Sequence, residues 1–463
     1  MPDTLQSQIS HVAARTGAVL RDARIPSGGT ITPEQHGATG DGIADDTAAL
    51  NACIAAARPG QRIKLTGTYR HADVIYLNKN RVTLDGGGTL LAANPDLSSV
   101  WLMGNDQTMQ DIAIRKTGVT QRYYGIGHMG LRIGSTTPDG AGGVNPVPAD
   151  RALIRRVTID GAAAAGVYLC GGSGWTRLED VTVTGAWADG IHITEGAHHV
   201  KVNRPSVTGC GDDGVAVVSY TFDKAITHHV DVIDATITAN THSRGMTVIG
   251  GQDITYLNPT ISGTCAAGIV IARETQAVDG YDTHACARVR IHGATLTDVN
   301  RGVTDGTGPD HGAVLIANSD PATLRNTDVT ITSLTIHDSH NGFRVIGVYG
   351  SDNVTFRRVR FSGRRGQLLW HGDNLAAVTR SDVQSYETTL VEHGLATANR
   401  LTTPEGNLEA VPGSRAPLAD GTLWLKQSGT GTTGWVKVGA TTSGGQTPTP
   451  TSTTTSLNAL MGA

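Results

Sequence analysis

The sequence predicts an all-β protein folded as a right-handed parallel β-helix, a solenoid of short strands. Its 463 residues include 59 glycines but only 4% aromatic residues, a composition typical of many short strands joined by tight turns. Two strand-like patterns alternate from about residue 150 onward, and the second begins each time with glycine. No helical periodicity separates them, as a Rossmann fold or an α/β barrel would require. We therefore expect the solenoid to occupy residues 31–385.

The repeat predicts the length of one turn of the solenoid, here called a rung. The glycines that open the second pattern follow one another at intervals of 24, 24, 31, 23, 34, 40 and 24 residues. A basic period near 24 suits a rung of about three short strands, with longer intervals where a loop is inserted. The second-pattern strings, with the number of each glycine, are GVYL (166), GIHI (190), GVAV (214), GMTV (245), GIVI (268), GVTD (302), GFRV (342) and GQLL (366).

Two helical segments precede the repeat. Apolar residues recur at three- and four-residue steps near the N-terminus, which predicts a short helical attachment segment within residues 1–30. A second helix is expected to begin at Asp45–Thr47 and to end before Pro59. Because the first rung of a solenoid exposes apolar side chains, this second helix is expected to cover that end.

The C-terminal part departs from the repeat. Residues 386–440 are predicted to hold a linker and a small β module, with Trp424 and Trp435 on two short strands. Residues 441–463 are rich in Ser, Thr and Pro and are expected to form a flexible tail.

Composition also narrows the classes of function. The formal net charge is −4 and no basic run stands out, which disfavours nucleic acid as the partner. Five cysteines are scattered without a CxxC pair, so buried core positions are expected for them rather than zinc or disulfides. No metal or other cofactor is expected. No apolar stretch is long enough for membrane insertion, and the first residues lack the pattern of a signal peptide.

A group of aspartates stands at one point of the repeat. Asp189, Asp213 and Arg244 each precede the glycine of a second-pattern strand, and Asp212 is adjacent to Asp213. Neighbouring rungs lie about 4.8 Å apart, so these charges should meet on one flank. Crowded carboxylates raise at least one pKa, which places an acid beside ionised bases as glycoside hydrolysis requires. The alternative is that they are ordinary turn aspartates before glycine.

The strings around these residues resemble a known family. WADGIHI (187–193), GCGDDGVAVV (209–218) and SRGMTVIGG (243–251) are similar to the aspartate series of the polygalacturonase family of glycoside hydrolases. QHGATGDGIADDTAALNACIAAA (35–57) resembles the N-terminal signature of pectate-lyase-like β-helices, phage tailspikes included. The resemblance implies Asp212 as general acid, Asp189 and Asp213 holding and activating water, and inversion at the anomeric carbon. The residues themselves leave open which of Asp212 and Asp213 is the acid.

Two departures from the family pattern bear on the substrate. Arg244 stands where polygalacturonases have a histidine, and either Arg244 or nearby His242 is expected to support the acid or the sugar. Val270 and Ala272 stand where the family has two basic residues that grip a uronate. Arg273 is close, but strand alternation points it to the opposite face. A neutral or differently charged glycan is therefore expected instead of pectin.

Two aromatic residues are further candidates for substrate binding. Trp187 and Tyr220 lie on or near the rungs of the aspartates and could stack on sugar rings. Local packing against a turn or the solenoid wall is the alternative for both.

The ends of the chain suggest a biological setting. Both are similar to segments of phage tail proteins, which favours an endo-acting, tail-associated glycoside hydrolase that depolymerises a bacterial surface polysaccharide. Such a protein would join the tail or baseplate through its N-terminus, form a homotrimer, and act from the virion at the outside of the host cell. The alternatives are a polysaccharide lyase on the same fold, a non-catalytic receptor-binding spike, and a bacterial glycan-modifying enzyme.

Overall fold

The computed structural model describes most of the solenoid and part of the C-terminal region. The described residues are 28–94, 100–123, 126–140, 144–240, 242–276, 281–302, 311–320, 324–337, 344–362, 368–373, 375, 378–385, 415–417, 423–428 and 433–438. The predicted N-terminal attachment helix, up to residue 27, and the predicted tail at 441–463 lie outside the described residues.

Three columns of parallel strands wind into a right-handed β-helix, as predicted. The first column, here called the cleft sheet, contains Ile75–Leu77, Val100–Leu102, Leu131–Ile133, Val167–Leu169, Ile191–Ile193, Val215–Val218, Met246–Ile249, Ile269–Arg273, Val314–Asn318, Arg344–Val348 and Leu368–Gly372. The second contains Thr30–Ile31, Arg62–Lys64, Thr83–Asp85, Thr108–Gln110, Leu153–Arg155, Arg177–Glu179, His198–Asn203, His228–Ile233, Gln252–Leu257 and Ala287–His292. The third contains Asp41–Asp45, Thr68–His71, Thr89–Ala92, Ala113–Lys116, Thr158–Asp160, Thr182–Thr184, Ser206–Thr208, Thr236–Thr238, Thr260–Ser262 and Thr295–Thr297.

Toward the C-terminal end the second and third columns merge. Long strands Asn326–His337 and Ser351–Ser362 continue both columns, and Thr379–Ser385 pairs with the latter. Short antiparallel pairs project from the solenoid at Ser135–Pro138 with Val144–Val147 and at Thr275–Gln276 with Tyr281–Asp282. Two 3₁₀ turns complete the described elements, at Pro33–His36 and Ile126–His128.

Alternation along the short strands separates the core from the outer surface. Ile191 and Ile193 point into the core and are fully buried, whereas His192 between them points outward. The same register repeats on each rung, since Val167, Ile191, Val215, Met246 and Ile269 pair in sequence along the cleft sheet. The stacked aliphatic side chains form one continuous core. All five cysteines are buried, as predicted.

A single α-helix, Thr47–Ala56, is present among the described residues, close to where the sequence predicts it. Leu50, Cys53 and Ile54 on this helix are buried and join the core at the first rungs. Its N-cap is Asp46, whose carboxylate accepts hydrogen bonds from the backbone N–H groups of the Thr39–Gly40 loop. No described helix has the length and apolar character to cross a membrane.

One residue in the left-handed region turns the chain between the second and third columns on many rungs. Asp180 (φ 54°) and Arg204 (φ 48°) occupy this corner on neighbouring rungs, and the guanidinium donates twice to the carboxylate, at 2.7 and 2.8 Å. Asp234 and Asn258 occupy the next two corners. These corner residues lie outside the cleft, and the ion pair between Arg204 and Asp180 is exposed.

The structure corrects one repeat assignment and one strand count. The string GVTD at Gly302 was expected to start a cleft-sheet strand, but Val314–Asn318 pairs with Ile269–Arg273 instead. Ala313 takes the position of the glycine, since Val314 pairs with Ile269 and the N–H of Ile269 donates to the carbonyl oxygen of Ala313 at 3.2 Å. In the C-terminal region three antiparallel strands are present where two were expected: Arg415–Pro417, Leu423–Lys426 and Trp435–Val438.

Candidate active site

The three aspartates lie at the same corner of two neighbouring rungs. Asp189 comes just before the strand Ile191–Ile193, and Asp212 and Asp213 come just before Val215–Val218. One carboxylate oxygen from each lies within 4.8 Å of the others. They line a cleft of about 440 Å³. The other lining residues are Arg122, His192, Ala216, Val218, Tyr220, Arg244, Ile249, Glu274, Tyr281 and Thr283.

Glycine after the aspartate allows this close stacking. A Cβ on Gly190 would lie 2.6 Å from the carbonyl oxygen of Gly214, and a Cβ on Gly214 would lie 2.7 Å from that of Gly245. No side chain tolerates such contacts. The backbone N–H of Gly190 donates to the carbonyl of Asp213 at 2.8 Å, so the residues before the glycines are stacked in register. The glycine period therefore brings Asp189 and Asp213 together.

Asp213 is enclosed by donors. Its Oδ1 accepts from Ser243 Oγ at 3.0 Å, from Arg244 Nε at 2.8 Å, and from the Arg244 backbone N–H at 3.3 Å. Its Oδ2 accepts from Arg244 Nη2 at 3.0 Å and Thr247 Oγ1 at 2.8 Å. Burial alone would raise the pKa of Asp213, but the charge and hydrogen bonds of Arg244, with those of the hydroxyls, hold that pKa below its ordinary value. Asp213 is thus an ionised, fully hydrogen-bonded carboxylate.

Arg244 links Asp213 to a carboxylate that the repeat did not reveal. Its Nη1 donates to Oε1 of Glu274 at 2.7 Å, while Nε and Nη2 hold Asp213. Only 12% of the Arg244 side chain is exposed, against 4% for Asp213 and 8% for Glu274. Burial would lower the pKa of Arg244, but the two carboxylates raise it well above its usual range. The guanidinium is therefore a permanent cation between two buried anions.

Asp212 has the opposite electrostatic environment. Burial and the negative charges of Asp189 and Asp213 raise the pKa of Asp212 to about 6, although Arg244 and Arg122 act against that rise. Nη1 of Arg122 lies 2.7 Å from Oδ2 of Asp212, and 23% of the Asp212 side chain remains exposed to the cleft. Asp212 is therefore the carboxyl that can carry a proton near neutral pH and still reach a ligand.

Asp189 is held in place by one donor on each oxygen. Its Oδ1 accepts from the backbone N–H of Asp213 at 2.9 Å, and its Oδ2 lies 2.5 Å from Nδ1 of His192. Burial would lower the pKa of His192, but the hydrogen bond to Asp189 and the surrounding carboxylates raise it above its ordinary value. Tyr168 stacks on the imidazole, with ring centroids 5.1 Å apart. The hydrogen bond with His192 therefore fixes the orientation of Asp189.

The charge balance indicates how the cluster is used. Three carboxylate oxygens within 4.8 Å could bridge a metal ion, yet Arg244 and Arg122 already supply two guanidinium groups to Asp213 and Asp212. His192 is hydrogen-bonded to Asp189, and its pKa is raised above the ordinary value by that bond and by the nearby carboxylates. Protein cations thus compensate the anions, and the arrangement suits proton transfer between one carboxylic acid and its ionised neighbours.

Of the five residues predicted to bind substrate, two line the cleft. Tyr220 and Arg244 belong to its described lining, whereas His242, Trp187 and Arg273 do not. Substrate binding by Arg273 stays a prediction: its side chain is 6% exposed and pairs with Asp282 at 3.1 Å and Asp320 at 3.5 Å.

The positions that replace the family's basic pair contribute no charge to the cleft. Val270 and Ala272 are fully buried in an apolar cluster on the outer face of the cleft sheet, which also contains Leu315 and Ala317. Packed aliphatic side chains thus stand where the resemblance to polygalacturonases implies a basic pair that grips a uronate.

Three residues of the site were missed in the sequence. His192 carried a usable signal, since it is the outward-facing middle residue of the strand that follows Asp189. Glu274 follows Ile269–Arg273 directly, and the carboxyl end of that strand faces Arg244. Arg122 lies in a loop between rungs, and no repeat position predicts it.

Comparisons with known proteins agree with this architecture. Residues 34–229 match the sequence profile of the family described as rhamnogalacturonase A/epimerase, pectate lyase-like. No curated protein matches the chain in sequence.

Several solved structures share the fold. The Agl-KA catalytic domain has a TM-score of 0.59 at 16% identity, over 79% of this chain and 68% of the other. The catalytic unit of a GH87 α-1,3-glucanase from Streptomyces thermodiastaticus strain HF3-3 has a TM-score of 0.57 at 19% identity, over 80% and 71%. The A-module of the Azotobacter vinelandii mannuronan C-5 epimerase AlgE6 has a TM-score of 0.52 at 15% identity, over 77% and 100%. These likenesses show the fold, a parallel β-helix, and the pectate-lyase-like family profile matches residues 34–229 of it.

Proposed function

We propose that this chain is a glycoside hydrolase that cleaves a neutral polysaccharide, with Asp212 as the general acid. The observation that carries the proposal is the contrast between two adjacent residues. The pKa of Asp212 is raised to about 6, while that of Asp213 is lowered by Arg244. A protonated carboxyl beside ionised carboxylates is the arrangement that glycosidic bond cleavage requires.

Asp212 would start the reaction. Its proton passes to the glycosidic oxygen as the bond between that oxygen and the anomeric carbon breaks, and the leaving sugar departs as an alcohol. The ionised Asp213, Asp189 and Glu274 stabilise the positive charge that develops on the sugar ring. Asp212 is left as a carboxylate, which the nearby charge of Arg244 stabilises.

Asp189 is the better base of the two that the family resemblance implies. Five donors surround the carboxylate of Asp213, which leaves it no room to hold water. Each oxygen of Asp189 has one donor and keeps a lone pair for a water molecule. Water would attack the anomeric carbon while its proton passes to Asp189. Asp213 then acts as the anchor of Arg244.

Inversion is the stereochemistry we propose. Both oxygens of Asp189 are fixed by donors, an arrangement that suits holding water more than bonding to carbon. The closest approach of the carboxylates, within 4.8 Å, is shorter than the roughly 6.5–9.5 Å usual between the carboxyl groups of inverting enzymes. The anomeric form of the first product distinguishes inversion from retention.

The cleft favours a neutral glycan. Ala216, Val218 and Ile249 give it an apolar wall, and Arg244 is already neutralised by two carboxylates. Structures of a GH87 α-1,3-glucanase with nigerose or tetrasaccharides carry alanine at one of three aspartates, of which the second follows the first by 23 residues and the third is adjacent. Asp189, Asp212 and Asp213 have the same spacing. This likeness makes α-1,3-glucan the first polymer to test.

A second candidate is proton abstraction next to a uronate, as in a lyase or an epimerase. The likeness to a mannuronan C-5 epimerase favours it. Such chemistry needs a cation that neutralises the uronate carboxylate, and in the described part of the cleft Arg122, which pairs with Asp212, is the more exposed of the two arginines. Mass analysis of the fragments separates the two reactions. Hydrolysis adds one water per cleavage, whereas a lyase adds none and leaves an unsaturated end that absorbs ultraviolet light.

The experiment is incubation with α-1,3-glucan, a second neutral glucan and polygalacturonate. We expect new reducing ends with a neutral glucan, and fragments that carry the added water. If only the uronate polymer is cleaved and its fragments are unsaturated, the chain is a lyase and the proposed hydrolase activity is contradicted. Purified bacterial capsule is tested in the same way. If none of these polymers is cleaved, a glycan-binding protein without catalytic activity is favoured.

We also propose that the enzyme works in a phage tail, as a homotrimer attached through its N-terminus and acting on a bacterial surface polysaccharide. This proposal is supported by the resemblance of both chain ends to tail proteins. Residues 1–27 and part of the C-terminal region, which carry that resemblance, lie outside the described residues. Light scattering of the purified chain tests the trimer, and mass spectrometry of purified virions tests the setting. A monomer would contradict the homotrimer. Absence of the chain from virions would favour a glycan-active enzyme of bacterial origin.

A further inference from the structure

A loop from a distant rung contacts the proposed general acid. Residues 117–123 follow the strand Ala113–Lys116, and Nη1 of Arg122 at the end of this loop lies 2.7 Å from Oδ2 of Asp212. The loop is anchored beside Arg122, because the backbone N–H of Tyr123 donates to the carbonyl of Ala163 at 2.9 Å. The ring of Tyr123 stacks on His128, with centroids 4.8 Å apart. Arg122 is therefore held at the cleft by its neighbour.

The contact spans several rungs. Leu131–Ile133, the cleft-sheet strand that follows the loop, pairs with Val167–Leu169. That strand pairs with Ile191–Ile193, which in turn pairs with Val215–Val218, the strand after Asp212. Three steps of about 4.8 Å place these rungs about 14 Å apart along the axis. The loop and its arginine thus bridge the rung of Asp189, where a sugar bound to the catalytic carboxylates must lie.

The ion pair conflicts with acid catalysis. A general acid must be protonated and must point its O–H at the glycosidic oxygen. A guanidinium 2.7 Å from Oδ2 stabilises the ionised carboxylate and occupies one of its two oxygens. Within the described residues, the other charged or titratable groups that face Asp212 are Asp189, Asp213, Arg244 and His192. Arg122 differs from Arg244 in this group, because 35% of its side chain is exposed while Arg244 is locked between two carboxylates.

We propose that Arg122 is a positioning residue that holds the carboxylate of Asp212 in the empty cleft and is displaced from it by the incoming glycan, whose hydroxyl groups then accept the guanidinium's hydrogen bonds. This proposal rests on the assignment of Asp212 as general acid. Displacement removes a cation from Asp212 at the moment when the carboxyl has to be protonated. Binding of the glycan therefore favours the protonated form of Asp212, whereas in the cleft without glycan Arg122 favours the ionised form.

The proposal predicts a difference between two pH profiles. The profile of kcat/KM reports the empty enzyme, and that of kcat reports the complex. In Arg122→Gln the alkaline limb of kcat/KM moves to higher pH, because Asp212 loses a cation in the empty cleft. The alkaline limb of kcat stays in place, since Arg122 has already left Asp212 in the wild-type complex. Arg122→Lys keeps a positive charge and shows a smaller shift of the kcat/KM limb.

The matched control is Arg204→Gln, which removes an arginine–carboxylate pair with Asp180 outside the cleft and should move neither limb. If both limbs move together in Arg122→Gln, the arginine stays on Asp212 in the complex and the proposal is overturned. If neither limb moves, Arg122 does not act on Asp212 and the proposal is overturned as well.

A second measurement does not depend on catalysis. Carbon NMR titration of labelled aspartates follows the carboxyl of Asp212 in the empty cleft, with Asp212→Asn to assign the signal. The titration of Asp212 should move to higher pH in Arg122→Gln and not in Arg204→Gln. An unchanged titration overturns the masking by Arg122, even if the protein hydrolyses glycan. A shifted titration in a protein that cleaves no glycan supports the masking contact and separates it from a failure of the proposed function.

Discussion

The backbone N–H of Asp213 donates to Oδ1 of Asp189, 2.9 Å away, and this bond ties two neighbouring rungs together at the site. Asp213 in turn fixes Arg244, and Arg244 fixes Glu274 on a later rung. The carboxylates are therefore parts of one hydrogen-bonded unit. Substitutions within such a unit are expected to be strongly non-additive.

The first prediction follows from that coupling. Asp189→Asn and Asp212→Asn should each lower kcat by about 100- to 10,000-fold, because each removes one partner of the proton transfer. The double variant should be little slower than the slower single variant. Steady-state rates on the polymer that the wild type cleaves test this, with Asp180→Asn as the control outside the cleft. Multiplying effects in the double variant would contradict a shared step.

A second prediction concerns stability and pH. The folded pKa of Asp212, about 6, lies above its ordinary value of 3.8, so the folded state loses stability relative to the unfolded chain as pH rises through 6. Asp212→Asn removes that charge and should be more stable than the wild type at pH 8, by roughly 2–3 kcal/mol. Most of that gain should vanish near pH 4. Denaturant midpoints at both pH values check the difference, and an equal gain at both would show that charge crowding is not the cause.

The third prediction concerns the buried cation. Arg244→Met leaves Asp213 and Glu274 buried without their partner and should destabilise the fold by about 3–5 kcal/mol at pH 7. Arg204→Met removes an exposed pair with Asp180 and should cost at most about 1 kcal/mol. Denaturant midpoints of the two variants provide the comparison. Similar midpoints would mean that Arg244 does not hold the site together.

A fourth prediction concerns stereochemistry. Proton NMR of the first minutes of cleavage should show the anomer opposite to that of the substrate linkage, because water held by Asp189 attacks from the face opposite to the leaving group. The signal must be read before mutarotation equalises the anomers. Retention would assign Asp189 as a nucleophile that bonds to the sugar.

Much of the fold and part of the site could be predicted because the repeat has a steric cause. Gly190 and Gly214 leave no space for a Cβ, so the residues before them occupy equivalent corners. That constraint is visible as a period of glycines. The strand that the glycine period predicts at Gly302 is wrong. The next cleft-sheet strand is Val314–Asn318, after a longer stretch of chain, and an alanine takes the place of the glycine.

The rest of the site depends on contacts that no period encodes. Asp212 and Asp213 look equivalent in the sequence, and their different pKa values come from their contacts. Arg244 and two hydroxyl groups hold Asp213, whereas burial and the charges of Asp189 and Asp213 act on Asp212. Arg122 reaches the site from a loop three strand steps away. Its role could not be anticipated, since the length and path of an inserted loop are set by packing against neighbouring rungs.

The most direct test of the central claim compares two substrates with the Asp212→Asn variant. A general acid is needed when the leaving group is a sugar, but hardly when it is an acidic phenol. We predict that Asp212→Asn loses about 100- to 10,000-fold in kcat on the natural polymer and far less on an aryl glycoside of the same sugar with a dinitrophenyl leaving group. Equal losses on both substrates, or no loss on either, would contradict the assignment of Asp212 as the general acid.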